Sequence, residues 1–203
     1  LTKSLNESSN FSRHMSEEPP FEVVEGEVCP FCNEKTLSLT ETARDVPYFG
    51  VCHIFSMSCS SCKYHKADVE SDEEQDPVKY SMEINSEDDL KVRIIKSSTC
   101  DVKIPYVGDI IAGETSNGYI TNVEGIIKRI QQQVEHLKEA SDDKADVKKA
   151  KNILKKITKI LWGQEKAKII LEDKSGNSAI VSPNAKKEKL KKRKRDLILQ
   201  HIP

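Results

Sequence analysis

Glycine and proline are limited to 8 residues each among 203, and aromatic side chains make up only 5%. So little Gly and Pro excludes collagen-like and low-complexity chains. No apolar run approaches the ~18–20 residues that a membrane-spanning helix needs, which argues against a helical membrane protein. Leu1 to Pro20 has no apolar stretch and does not read as a secretory signal. It is rich in Ser, Asn and Glu, ends in Pro19-Pro20, and reads as a flexible arm. Common enzyme motifs are missing too: there is no phosphate-binding Gly-x-x-x-x-Gly-Lys-Ser/Thr, no Gly-x-Gly-x-x-Gly, no His-Glu-x-x-His and no Gly-x-Ser-x-Gly. Nothing singles out a catalytic carboxylate pair, and Glu87-Asp88-Asp89 reads as a loop. The sequence therefore predicts a non-enzyme.

Charge, by contrast, is plentiful at 32% of residues. The net charge of −1 hides a split, −9 over residues 1–100 and +8 over residues 101–203. Such a division points to a polar tail or to two faces with different partners. With 36% hydrophobic residues, the chain is long enough for one or two domains with a real core.

Four of the six cysteines form two C-x-x-C pairs, Cys29-Pro30-Phe31-Cys32 and Cys59-Ser60-Ser61-Cys62, separated by 26 residues. Each pair can wrap a metal from one tight knuckle, and two knuckles supply the four thiolates of a closed tetrahedral zinc site. A redox reading of the first pair requires a helix starting on the motif, whose dipole lowers a thiol pKa. Residues 33–42 alternate as a strand instead, and that reading leaves the second pair unexplained. With four sulfurs on the metal no position remains for water, so the ion is expected to be single and structural, worth on the order of 10–16 kcal/mol in small modules. Cys52 lies in an apolar run and reads as a small buried residue, and Cys100 has no assigned role. His53 and His65 flank the knuckles and read as neighbours of the site rather than ligands.

Strand signals at 21–28, 36–42 and 48–58 frame the knuckles, so residues 21–76 read as a zinc ribbon closed by the acidic stretch 70–77. Period-two patterns follow at 78–84, 90–95, 101–104 and 107–111. The period then changes. Val123, Ile126, Ile127, Ile130, Val134 and Leu137 form one helical stripe, with Thr121 and Glu124 as a capping-box pair. Ser141-Asp142-Asp143 caps a second helix with the stripe Val147, Ala150, Leu154, Ile157 and Leu161, ended by Gly163. Strands return at 167–172 and 178–181 around the turn 173–177. This order predicts an α+β β domain over 77–182 with a helical hairpin inserted at 122–163. Residues 183–203 read as a basic tail. Its cations include Lys191, Lys192, Arg193, Lys194 and Arg195, which offer phosphate neutralisation and hence a nucleic-acid contact, although no aromatic residues interleave for base stacking.

These residues together resemble the ZPR-type zinc-finger proteins, known as binders and folding factors of translation elongation factor 1-alpha. The resemblance rests on the two Cys pairs, Pro47-Tyr48-Phe49-Gly50 leading to Phe55-Ser56-Met57-Ser58-Cys59, Gly118-Tyr-Ile-Thr-Asn-Val-Glu-Gly125, and Leu171-Glu-Asp-Lys-Ser-Gly-Asn-Ser178. It covers about residues 21–182. One departure concerns the last zinc cysteine: the family commonly follows it with Gly, whereas Lys63 stands here. Eukaryotic members carry two ribbon-plus-β units in tandem, and this chain, with one, looks like the archaeal form. The resemblance implies a jelly-roll-like double-stranded β-helix, one zinc ion on Cys29, Cys32, Cys59 and Cys62, and a cytoplasmic protein that binds elongation factor 1-alpha. Phe31, Tyr48 and Phe49, near the metal, are the candidate partner contacts. A nucleic-acid or ribosome-associated role through the basic tail is the alternative.

Overall fold

Strand periodicity in the first third of the chain becomes one antiparallel sheet. A computed structural model describes residues 21–47 and 49–190. Its first four strands are β1 (Phe21–Glu27), β2 (Leu37–Val46), β3 (Gly50–Cys59) and β4 (His65–Ser71), hydrogen-bonded in that order. Cross-strand register fixes the two faces. Cys52 and Val69 point inward and are fully buried, while the row Val24–Leu39–Met57 lies on the opposite face. β4 escapes sequence reading because only Val69 within it is buried; the rest of the strand is polar or half-exposed.

The β domain follows. A five-stranded antiparallel sheet has the order β12-β5-β10-β7-β8, with β5 (Val78–Ile84), β7 (Cys100–Ile104), β8 (Gly108–Ile110), β10 (Ala167–Asp173) and β12 (Lys186–Lys189). A three-stranded sheet has the order β11-β6-β9, with β6 (Arg93–Lys96), β9 (Tyr119–Asn122) and β11 (Ala179–Val181). Alternate residues of β5 and β10 join Ile94, Ile95 and Ile180 of the smaller sheet in one buried core. Each buried aliphatic side chain is worth ~1.5–3 kcal/mol, so this core is the main source of stability.

Two 18-residue helices, α2 (Val123–Ala140) and α3 (Lys144–Leu161), enter between β9 and β10. Val123, Ile126, Ile127 and Ile130 of α2 and Ile157 and Ile160 of α3 are buried in the same core, whereas Leu137, placed on the stripe by its spacing, is exposed. Asp143 caps α3 by accepting from the Ala145 N–H at 2.7 Å. The cap of α2 is Asn122, not Thr121: its side chain accepts from the Gly125 N–H at 2.8 Å. Thr121 is still in β9, so the strand runs one residue further than a Thr cap allows.

Two sequence expectations need correction. Glu87-Asp88-Asp89 is not a loop but the first turn of a short helix, α1 (Glu87–Leu90), with a full capping box between Ser86 and Asp89. Leu90 ends that helix rather than opening a strand. The second concerns Lys186–Lys189, read as the start of a basic tail. They form β12 against β5, with Lys187 over the Tyr80 ring and Lys189 Nζ 2.8 Å from Asp76. An exposed lysine-rich strand suits a sheet edge, where charge discourages further pairing.

The ribbon is sutured to the β domain by the residues that look like family signatures. Gly118 N–H donates to the Ala67 carbonyl at 2.8 Å, and Asn117 accepts from the Ala67 N–H at 3.1 Å. Asn177 accepts from the Ser71 N–H at 3.2 Å. Asp68 accepts from Ser98 through both its backbone N–H and its hydroxyl. A side chain at position 118 would collide with Asp68 and the backbone beside it, and one at 176 would collide with the Asp76 carbonyl at a φ of +79°. Glycine at both places is a condition of the seam.

Candidate metal centre

The two Cys pairs sit in turns with the same hydrogen-bond pattern. Cys29 lies after β1 and Cys59 ends β3. In the first knuckle the Asn33 N–H donates to the Cys29 carbonyl and the Cys29 N–H to the Glu34 carbonyl, both at 2.9 Å. In the second, the Lys63 N–H donates to the Cys59 carbonyl at 3.1 Å and the Cys59 N–H to the Tyr64 carbonyl at 2.8 Å. The residue after each second cysteine is left-handed, Asn33 at φ 60° and Lys63 at φ 63°. Asn tolerates that region; Lys does so at a cost. The departure at Lys63 therefore leaves the knuckle's shape intact.

These turns bring all four sulfurs together. Cys29 Sγ and Cys62 Sγ are 3.7 Å apart, as are Cys32 Sγ and Cys59 Sγ, and all four lie within 4.8 Å of one another. Sulfurs bound at about 2.3 Å to a tetrahedral zinc stand about 3.8 Å apart. A disulfide requires about 2.05 Å, and all six cysteines are free. The donor set is soft and all-sulfur, as a closed zinc site requires. Cys29 and Cys59 are buried, Cys32 is half-buried and Cys62 is exposed, which places the group at the rim of the sheet.

The sulfurs are electrostatically unequal. The Thr36 hydroxyl, 3.2 Å from Cys59 Sγ, and the Cys62 N–H at 3.5 Å hold the Cys59 thiol down at about 6. At Cys62 the Tyr64 N–H favours the thiolate, but desolvation and the three neighbouring sulfurs push the thiol up to about 12. Four thiolates at this spacing need a cation among them. Burial pushes Cys52 up to about 11, and burial first, with the charges of Asp173 and Asp101, pushes Cys100 up to about 12, so both are inert thiols away from the cluster.

The flanking histidines are otherwise engaged. His53 lies between Asp72 at 3.2 Å and Glu41 at 3.5 Å, and His65 Nδ1 is 2.9 Å from the Ser58 hydroxyl. Phe31 is 69% exposed and packs against Tyr64 with ring centroids 4.3 Å apart and the planes tilted by 34°. Phe49 packs, half-buried, against the β-domain core. Tyr48, Lys191, Lys192, Arg193, Lys194 and Arg195 lie outside the described residues.

A second group of reactive residue types was not apparent in the sequence. Asp173 is fully buried and accepts from the hydroxyls of Ser97, Thr99, Ser175 and Ser178 at 2.6–3.0 Å. Lys96, 1% exposed, donates to the Ser97 carbonyl at 3.0 Å and faces the Tyr119 ring; burial lowers its pKa. Lys96 donates to a carbonyl rather than a hydroxyl, and Ser97, Ser178 and Asp173 are all closed to solvent. The arrangement stitches the 173–178 turn to β6 and β7, with the Thr99 hydroxyl at its exposed rim. Only Gly-Asn-Ser within the turn hinted at it.

The comparisons agree with this architecture. The family model for the ZPR1 jelly-roll domain matches residues 88–197, more than half of the chain. A ZPR1-like protein of Methanocaldococcus jannaschii is 35% identical over 162 residues, 79% of this chain and 82% of that protein. The zinc finger protein ZPR1 of Homo sapiens is 25% identical over 155 residues, 74% of this chain but only 34% of its own length. The zinc finger chaperone zpr1 of Schizosaccharomyces pombe is 29% identical over 109 residues, 52% of this chain and 23% of that protein. A jelly-roll domain joined to a ribbon with four clustered sulfurs, matched over most of an archaeal relative but only a third of the human one, leads to one conclusion: the chain belongs to the ZPR1 family, in its archaeal-like form.

Proposed function

We propose that this chain is a non-enzymatic zinc protein, with one ion on Cys29, Cys32, Cys59 and Cys62, that binds translation elongation factor 1-alpha and assists its folding or handling in the cytoplasm. The observation that carries the reading is the four-sulfur group at the rim of an exposed ribbon, in a chain of the ZPR1 family. A relative described as a zinc finger chaperone supports a protein partner. A metal saturated by four sulfurs has no vacancy for a reactant. The ion's contribution is rigidity: it holds the exposed Phe31 against the half-buried Tyr64 beside the knuckles, which lowers the ordering cost of docking. The β domain is read as the family's double-stranded β-helix, with α2 and α3 as its helical hairpin and a second contact surface.

Affinity capture from native lysate with the zinc-loaded chain tests this reading. Elongation factor 1-alpha is expected among the bound proteins, and its capture is expected to fall when Cys59→Ser opens the metal site. A metal-intact chain that never enriches the factor overturns the assignment.

A further inference from the structure

β1 is exposed along its whole length, and it is the outermost strand of the ribbon sheet. Its outer backbone groups have no strand partner among the described residues. Soluble proteins usually blunt such an edge with charge, proline, a bulge or a covering segment. β1 has three glutamates and a bulge between Val24 and Glu27, yet it also carries Phe21 at 66%, Val23 at 47% and Val24 at 50% exposure. Beside it, Val24, Leu39, Phe55 and Met57 line an apolar groove of about 360 Å³, bordered by Glu22 and Glu41.

The charge at this edge has one sign. Glu22, Glu25 and Glu27 all stand on β1, which has no cation, and none of them pairs with a cation among the described residues. Glu22 lies directly opposite Glu41 in the register. Like charges so placed are destabilising. An apolar strand edge that carries three carboxylates and no cation is complementary to a strand bearing apolar residues and cations. A second copy of β1 would add three more carboxylates and is disfavoured on the same ground.

We infer that the free edge of β1 accepts an extended segment of a partner protein by strand addition, apolar opposite Phe21, Val23 and Val24 and basic opposite Glu22, Glu25 and Glu27. Backbone hydrogen bonds supply affinity in this mode, and alternate side chains supply specificity. The inference deepens the partner-binding reading and rests on it for its biological meaning. The surface itself is argued from the edge, the groove and the charge.

The probe is a labelled peptide, Arg-Thr-Arg-Ile-Val-Lys-Val, titrated by fluorescence anisotropy against the zinc-loaded full chain. Its controls are the same peptide with Glu for every cation, and two versions N-methylated on alternate amides, one set per edge. The basic peptide is expected to bind at least tenfold more tightly than the acidic one and to slow hydrogen exchange in β1. N-methylation of one edge should abolish binding, and of the other should leave it. A Glu22→Lys/Glu25→Lys variant with unchanged melting should reverse the preference. Equal binding of the two charges overturns the proposal, as does protection of the acidic residues 72–76 in place of β1. So does binding that appears only after residues 1–20 are removed, which would assign the edge to the chain's own arm. A concentration-dependent dimer lost in the variant would assign it to a second copy and overturn it equally. Capture of elongation factor 1-alpha unaffected by Glu22→Lys/Glu25→Lys sinks this inference alone; tight peptide binding without capture sinks the factor assignment alone.

Discussion

Lys63 shows how much a single backbone angle decides. Its φ of 63° closes the second knuckle as Asn33 closes the first. A β-branched side chain suffers most in the left-handed region, so Lys63→Val is expected to lose about 1–2 kcal/mol. Lys63→Gly should stay close to the parent, since relief of strain offsets the entropy of Gly. Urea unfolding of the zinc-loaded variants checks the pair; equal losses in both would mean that the angle is not the constraint. Cysteine reactivity divides in the same local way. Cys52 and Cys100, with thiols pushed up to about 11 and about 12 by burial, are expected to resist alkylation at pH 8 in the folded chain. The four clustered cysteines should react only after a chelator is added. Mass mapping of the labelled positions reads this out, and rapid labelling of Cys52 or Cys100 would contradict their burial.

Elements were legible where their side chains alternate between core and water. β5 spans Val78–Ile84 as its pattern predicts, because Val78, Tyr80, Met82 and Ile84 are all buried. The helices were legible for the same reason at a different period. β4, β9 and β12 were not, since their partners rather than their own side chains place them: β9 is half-buried throughout and β12 wholly exposed. The meeting of the four cysteines could be read from spacing, but the Asp173 knot could not, because hydroxyls and carboxylates carry no periodic signal. The seam between ribbon and β domain makes its own prediction. Gly118→Ala sets a methyl group against Asp68, and overpacking of this kind costs about 1–3 kcal/mol. Faster hydrogen exchange in β4 with zinc retained is the expected result; unchanged exchange would mean that the seam is not tight. Between β5, β7 and β10, burial opposes the Glu172 carboxylate, yet Lys103 at 2.5 Å and Lys79 at 3.2 Å outweigh it and hold the carboxyl below the ordinary glutamate range. A depressed carboxyl stabilises the fold above its unfolded pKa of about 4.3 and loses that stabilisation as pH falls through the lower, folded value. Glu172→Gln should therefore flatten the acid limb of a stability–pH curve below pH ~4.3. A limb as steep as in the parent would contradict the pairing.

At the scale of the molecule, two cores of unequal size share one chain. The β-domain core holds the buried isoleucines of both sheets and both helices, whereas the cluster around the sulfurs has only Cys29, Leu37 and Cys59 buried. The β domain thus has a large core of its own, whereas a metal ion on the four sulfurs would carry the order of the knuckle end. Chelation is expected to release hydrogen-exchange protection around 29–37 and 59–64 while β5, β7 and β10 stay protected. The central claim is that four sulfurs close around one zinc ion, leaving the ribbon a rigid binding surface and no reactive centre. Zinc-edge X-ray absorption on the purified native chain, with metal content measured on the same sample, tests it most directly. One zinc per chain, ringed by four sulfurs at about 2.3 Å, is the predicted result; a different metal, nitrogen or oxygen in the coordination shell, or cysteines joined as disulfides would contradict it.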